Sequence, residues 1–95
     1  MINTKLIDKI NNFSKLKYNW DSYNADTISK TSIDVAIDIL KHFINHFSDD
    51  ITIDVFPMRD GGIQFELDNI EIEINQNGKL KFILFDNNDN IIKEF

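Results

Sequence analysis

The chain contains no cysteine, one proline, three glycines and a single tryptophan in 95 residues. Without cysteine it forms no disulfide, thiolate metal site or thiol nucleophile, and a reducing compartment is the expected setting. No apolar run approaches the ~20 residues of a membrane-spanning helix, and Met1-Ile2-Asn3-Thr4-Lys5 lacks the basic-then-apolar order of a secretory signal. The expectation is a soluble cytoplasmic protein with no membrane partner. Positive charge is also scarce, ten Lys and Arg against sixteen Asp and Glu, for a net charge of −6. Direct nucleic-acid binding is therefore not expected, because that mode depends on cations displacing counterions from phosphates. The acidity fits a basic protein partner, or an imitation of nucleic acid that fills another protein's basic groove; it equally fits charge that serves solubility alone. Heavy use of Ile, Asn and Lys reads as codon bias of an AT-rich bacterial or phage genome.

What is present is hydrophobic periodicity of two kinds. A first helix is expected from a cap at Asn3 or Thr4, with Leu6, Ile10 and Phe13 on its apolar face, Ile7 and Leu16 at the flanks, and Lys15, Lys17 and Tyr18 closing it. A second follows in Ile33, Ala36, Ile37, Leu40, Phe43, Ile44 and Phe47. Ser29 as its N-cap places Ile28 and Ile33 in the relation of a hydrophobic staple, and Ser48-Asp49-Asp50 ends it.

From Ile51 the period becomes two. Ile51, Ile53 and Val55 share a face; Pro57 and Arg59-Asp60-Gly61-Gly62 supply a turn; Ile63, Phe65 and Leu67 alternate with Gln64 and Glu66; and Ile70, Ile72 and Ile74 alternate with Glu71 and Glu73. A tight Asp68-Asn69 loop sets Phe65 opposite Ile72 and Glu66 opposite Glu71. A two-residue Asn77-Gly78 loop would mix the faces, whereas the three-residue loop Gln76-Asn77-Gly78 pairs Ile74 with Leu80 and Ile72 with Phe82 and leaves Gly78 left-handed. Asp86-Asn87-Asn88-Asp89-Asn90 then turns the chain into a short strand from Ile91 to Phe95. The expected architecture is a single α+β domain over residues 1–95: two N-terminal helices, then an antiparallel meander of four or five strands with the long helix packed on one face.

Two places could carry function. Trp20, Asp21 and Tyr23 lie in the polar link Asn19-Trp20-Asp21-Ser22-Tyr23-Asn24-Ala25, either as an aromatic anchor for a partner or as a plug whose Asp21 and Ser22 satisfy the link's backbone, the plug being preferred for Trp20. The outward sheet residues Glu66, Glu71 and Glu73, with Gln64 beside Glu73 and Asp54 nearby, gather like charges that only Lys81 offsets. They form a dock for Arg or Lys side chains, a weak hard-cation site, or a merely solvated face. Phe56, Ile83 and Phe85 also point away from the core, as a small apolar patch.

Other patterns fall short. His42 and His46 have metal-sharing spacing, but Phe43 stands where a zincin has its glutamate. Asp86 to Asn90 resembles the start of a calcium loop but has Ile91 in place of the glycine, and Asp60-Gly61-Gly62 lacks a phosphate loop's lysine. No catalytic triad can be assembled, so neither an enzyme, a cofactor nor a metal is expected.

Asn19 to Ala25 with Ile28-Ser29, together with Pro57, Asp60-Gly61-Gly62-Ile63-Gln64-Phe65-Glu66, Glu71 to Ile74 and Gly78, resembles an uncharacterised family of small bacterial proteins with a W-D-x-Y-x-A segment, a helix and a D-G-G-I-x-x-E strand. Members of that group are frequent near mobile elements. A tryptophan often follows their strand glutamate, where Leu67 stands here. The resemblance implies a shared fold and directs attention to Trp20, Asp21, Tyr23, Gly61, Gly62 and Glu66.

The leading expectation is a small acidic, non-enzymatic protein-binding module of the antitoxin, immunity or anti-defence kind, with a basic partner. The alternative is a binder of a nucleotide or metabolite through the Trp20 to Tyr23 link and the Gln64 and Glu66 strand. A homodimer paired through the short apolar edge strand Ile91 to Phe95 is a third reading.

Overall fold

The computed structural model describes residues 4–42 and 53–94. Two helices pack on one face of a five-stranded antiparallel sheet. The first, α1 (Thr4–Asn12), buries Ile10 completely and leaves Leu6 and Ile7 half-buried against the same core. It ends earlier than its apolar spacing suggests, because Phe13–Lys15 form a single 3-10 turn and Leu16 is extended. Asn11, Asn12 and Ser14 are weak helix interiors, and the Ser14 hydroxyl donates to the Asn11 carbonyl at 2.8 Å. The tighter turn still buries Phe13.

The second helix, α2 (Lys30–His42), starts where its cap requires. The Ser32 N–H donates to Ser29 Oγ at 3.0 Å and the Ile33 N–H to the Ser29 carbonyl at 3.1 Å. Ile28 and Ile33 are both buried in the core cluster, as a staple demands. Ile37, placed on the apolar face by spacing, is only half-buried. Its continuation through Phe43, Ile44 and Phe47, the polar stop Ser48-Asp49-Asp50, and Ile51, His46, Asn3 and Phe95 lie outside the described residues.

The strands are β1 (Ile53–Pro57), β2 (Ile63–Leu67), β3 (Ile70–Ile74), β4 (Leu80–Phe85) and β5 (Ile91–Glu94), neighbours in chain order throughout. Both hairpin registers follow the alternation of the sequence: Phe65 faces Ile72, Glu66 faces Glu71, Ile74 faces Leu80 and Ile72 faces Phe82. Gly78 is left-handed at φ +85°. Inward-facing Val55, Ile63, Phe65, Ile72 and Ile74 are sealed from solvent between sheet and helices. A register shift at Leu84 and Phe85 gives β5 a bulged pairing, and its residues are all exposed. No helix among the described residues is long and apolar enough to cross a membrane.

The turn from β1 to β2 passes so close to the rest of the chain that a side chain has no room. A Cβ on Gly62 would collide with the Ile74 carbonyl oxygen, and one on Gly61, itself at φ +90°, would lie 2.9 Å from the Thr27 carbonyl oxygen. Both neighbours are backbone and cannot swing aside. Gly62→Ala is therefore expected to cost about 3 kcal/mol or more, in the range of severe core defects, while Gly78→Ala, which meets only side-chain methyls but keeps a positive φ, should cost about 1 to 2 kcal/mol. Urea denaturation of the two variants checks the order.

Candidate functional site

The polar link between the helices is occupied by its own bonds. Asn19, Ser22 and Asn24 are left-handed, at φ 67°, 66° and 64°, a conformation that costs a non-glycine residue about 1 kcal/mol or more. Side chains hold it. Asp21 Oδ1 accepts the N–H groups of Tyr23 at 2.8 Å and Ala25 at 3.1 Å, and Asn19 Oδ1 accepts the Asn24 N–H at 2.7 Å. Asp21 Oδ2 lies 2.9 Å from Arg59 Nε, with the carboxylate only 16% exposed. The same guanidinium donates to the Tyr23 carbonyl. Arg59 is the sole arginine of the chain, and its planar fork reaches two acceptors at once.

Trp20 is half-buried against the core cluster, and its Nε1 donates to the Asp26 carbonyl at 2.8 Å. Its polar edge is satisfied as a plug requires. Behind it the chain is stitched to the β1–β2 turn: the Asp26 N–H donates to Arg59 O at 2.8 Å, the Ser29 N–H to Gly61 O at 2.9 Å, and the buried Ser32 hydroxyl to Gly61 O at 3.1 Å. Tyr23 is the exception, 72% exposed at the tip of the link.

The outer sheet face is different. Asp54 stands opposite Glu66, Glu66 opposite Glu71, and Glu73 lies between Gln64 and Lys81. Lys81 stands opposite Glu73, with its ammonium 3.5 Å from Glu94 on β5. Partial burial, then repulsion from Glu66 and Glu73, pushes the Glu71 carboxyl above the usual glutamate range. Among these charges Ile83 is buried, Phe85 half-buried and Phe56 41% exposed. At one end Glu66, Asp68, Glu71 and Asp89 surround a cleft of about 230 Å³ with Phe85 in its wall.

The site residues named from sequence thus divide. Trp20 and Asp21 belong to the latch beneath and beside the β1–β2 turn, whereas Gln64, Glu66, Glu71 and Glu73 share the outer face. A ligand pocket combining Trp20 with Gln64 and Glu66 is not formed, since strand alternation puts the last two on the far side from the core. Sequence reasoning read Arg59 only as a turn residue; its being the one arginine beside an acidic link was the available signal. Asp68 and Asp89, on hairpin loops far apart in sequence, carried no signal of meeting Glu66 and Glu71.

His42 is exposed at the last described residue of α2. Asp86 Oδ1 accepts the N–H groups of Asn88 and Asn90 at 2.8 and 2.9 Å, which makes this carboxylate the brace of a hairpin turn. Asp60 Oδ1 braces the Gly62 N–H in the same way at 2.9 Å. Among the described residues, no three His, Asp or Glu side chains are grouped so as to hold a metal ion. Comparison with protein-family models, with curated proteins and with solved structures found no match.

The two acidic features respond oppositely to pH. For Asp21, partial desolvation raises the pKa but is outweighed by the Tyr23 and Ala25 N–H groups and by Arg59, so the net shift is downward. Its stabilisation is present above the unfolded aspartate value of about 4 and is lost as pH falls through the lowered folded value. The raised Glu71 pKa works the other way, and the fold gains stability from it as pH falls through that value toward the ordinary glutamate range. Asp21→Asn should lower stability at neutral pH and flatten the loss on acidification. Glu71→Gln should raise neutral-pH stability by about 0.5 kcal/mol, the scale of one exposed cross-strand repulsion. Urea melts at neutral pH and near pH 3 separate them.

Proposed function

We propose that this chain is a small acidic, non-enzymatic protein-binding module of the antitoxin, immunity or anti-defence kind, from a bacterial or phage mobile element, that docks a basic surface of a partner protein on its outer sheet face. The observation that supports this reading is the row Asp54, Glu66, Glu71 and Glu73, which runs across three strands with Glu66 and Glu71 directly opposed. The fold does not require that row. Like charges at opposed positions work against stability, and the inward faces of the same strands already supply the packing. A partner's Arg or Lys would remove the repulsion, and charge-assisted pairs that lose their water are the strong ones.

The cleft at the end of the row, lined by Glu66, Asp68, Glu71, Asp89 and Phe85, suits one long cationic side chain. Phe56 adds apolar area on the same face. Aromatic groups among charges are the usual composition of an interaction surface. The link, apart from the exposed Tyr23 side chain, commits Trp20, Asp21 and Asn19 to bonds within the fold, which favours the sheet as the docking site.

Affinity capture from the source organism at low salt, with quantitative mass spectrometry, tests this. The wild-type chain should recover one specific protein of basic isoelectric point, and Glu66→Gln/Glu71→Gln/Glu73→Gln should lose it at least roughly tenfold, about 1.4 kcal/mol, while folding as well as wild type. Recovery of the same protein by the triple variant, or of none by the wild type, refutes the reading.

A further inference from the structure

The segment that carries α1 has the opposite charge. Residues 4–17 carry Lys5, Lys9, Lys15 and Lys17 against the single carboxylate of Asp8, +3 on a chain whose net charge is −6. Between α1 and the outer edge of β1 runs an open groove of about 590 Å³. Phe13, Leu16, Trp20 and Pro57 line its apolar part, and Lys5, Lys9, Asp8 and Asn12 line its polar part, two cations against one carboxylate.

Three observations make this groove more than a gap between elements. Lys5 and Lys9 are one helical turn apart, a like-charge spacing that weakens a helix by a few tenths of a kcal/mol, and among the described residues neither forms an ion pair with a carboxylate. Lys9 lies over the Phe56 ring at 5.3 Å, which holds its ammonium at the β1 edge beside the groove. Trp20 has its Nε1–H committed to Asp26, so what it offers the groove is indole surface, the side chain most enriched among interface anchors.

We infer that this groove is a second docking surface, for an acidic peptide segment that sets an apolar side chain on Trp20 and Leu16 and its carboxylates against Lys5 and Lys9. Charge complementarity selects that occupant. A strand of a second copy is a poor competitor at this edge, because the Met58 N–H bonds across to Gly62, which turns the alternate position Pro57 outward, and proline offers no N–H to an added strand. A nucleic acid is disfavoured by the acidic remainder of the chain. The inference does not rest on the outer-face reading, since the residues that line the groove are distinct from Asp54, Glu66, Glu71 and Glu73.

Trp20, the only tryptophan, reports occupancy directly. The probe is the tryptophan-free peptide acetyl-Asp-Glu-Leu-Asp-Glu-Phe-Leu-Asp-amide, with a counterpart in which lysine replaces every acid, and a ten-nucleotide oligothymidylate. The acidic peptide should change Trp20 emission saturably. Lys5→Glu/Lys9→Glu should weaken the response roughly tenfold, about 1.4 kcal/mol, with unchanged circular dichroism, and the uncharged Lys5→Gln/Lys9→Gln should fall between. The outer-face triple glutamine variant should respond as wild type, so that failure of one surface leaves the other standing. No response up to about millimolar peptide, an affinity too weak to matter, overturns the inference. So does an equal response to the lysine peptide, a response to the oligonucleotide instead, or emission that shifts with protein concentration alone together with dimers in sedimentation, which would assign the groove to a second copy.

Discussion

Backbone meets backbone where the link before α2 lies on the β1–β2 turn, and the rest of the structure is arranged around that contact. Gly61 O receives two donors, the Ser29 N–H and the Ser32 hydroxyl, while Ser29 Oγ reaches on to the Gln76 carbonyl at 2.7 Å. One serine thus caps α2 and ties its first turn to two separate hairpin loops. The chain can come this close because no side chain intervenes at Gly61 or Gly62, and the Ser32 to Gly61 bond is buried, where an unmade bond would be costly. Once the N-terminus of α2 is fixed at that corner, its apolar face descends across β2 and β3, and Ile33, Ala36 and Leu40 are buried there.

That contact also explains how two separated sequence segments come to be paired. Trp20, Asp21 and Ala25 on one side and Arg59, Gly61 and Gly62 on the other form a single latch, with the ion pair of Asp21 and Arg59 on the outside and the buried Ala25 within. Residues that looked like chemistry in isolation act as fasteners. The sheet's outer face carries a row of carboxylates and the rim of the α1 groove carries Lys5 and Lys9, so the two are of opposite charge. A chain of this size therefore presents two unlike surfaces that meet at the β1 edge, where Lys9 lies over Phe56.

Much of this was legible because period-two alternation leaves little choice. A slip of one residue in either hairpin would have turned Phe65 or Ile72 to solvent, so registers could be chosen by elimination, and the cap at Ser29 was readable from its neighbours Ile28 and Ile33. The early end of α1 was less accessible. Its apolar spacing continues through Phe13 and Leu16, and what interrupts it is the competition of Asn and Ser side chains for the backbone, an effect that hydrophobic periodicity does not register. The role of Arg59 was hidden for another reason: the Asp21 ion pair joins residues on different elements, and its formation depends on a docking that local sequence cannot express. The four carboxylates around Phe85 were invisible likewise, since Asp68 and Asp89 come from different hairpin loops.

The alternation of the strands has a consequence for how such a protein can change over generations. Inward residues of β2 and β3 are held to their identities by packing, and the latch holds the turn, yet each outward position lies between two such anchors without sharing their contacts. Substitutions at 64, 66, 71 and 73 therefore trade charge and shape at the surface with little repacking beneath. The sheet is in effect a panel whose lettering can be rewritten while its frame stays fixed, so a lineage facing a changing counterpart could follow it residue by residue, without rediscovering the fold.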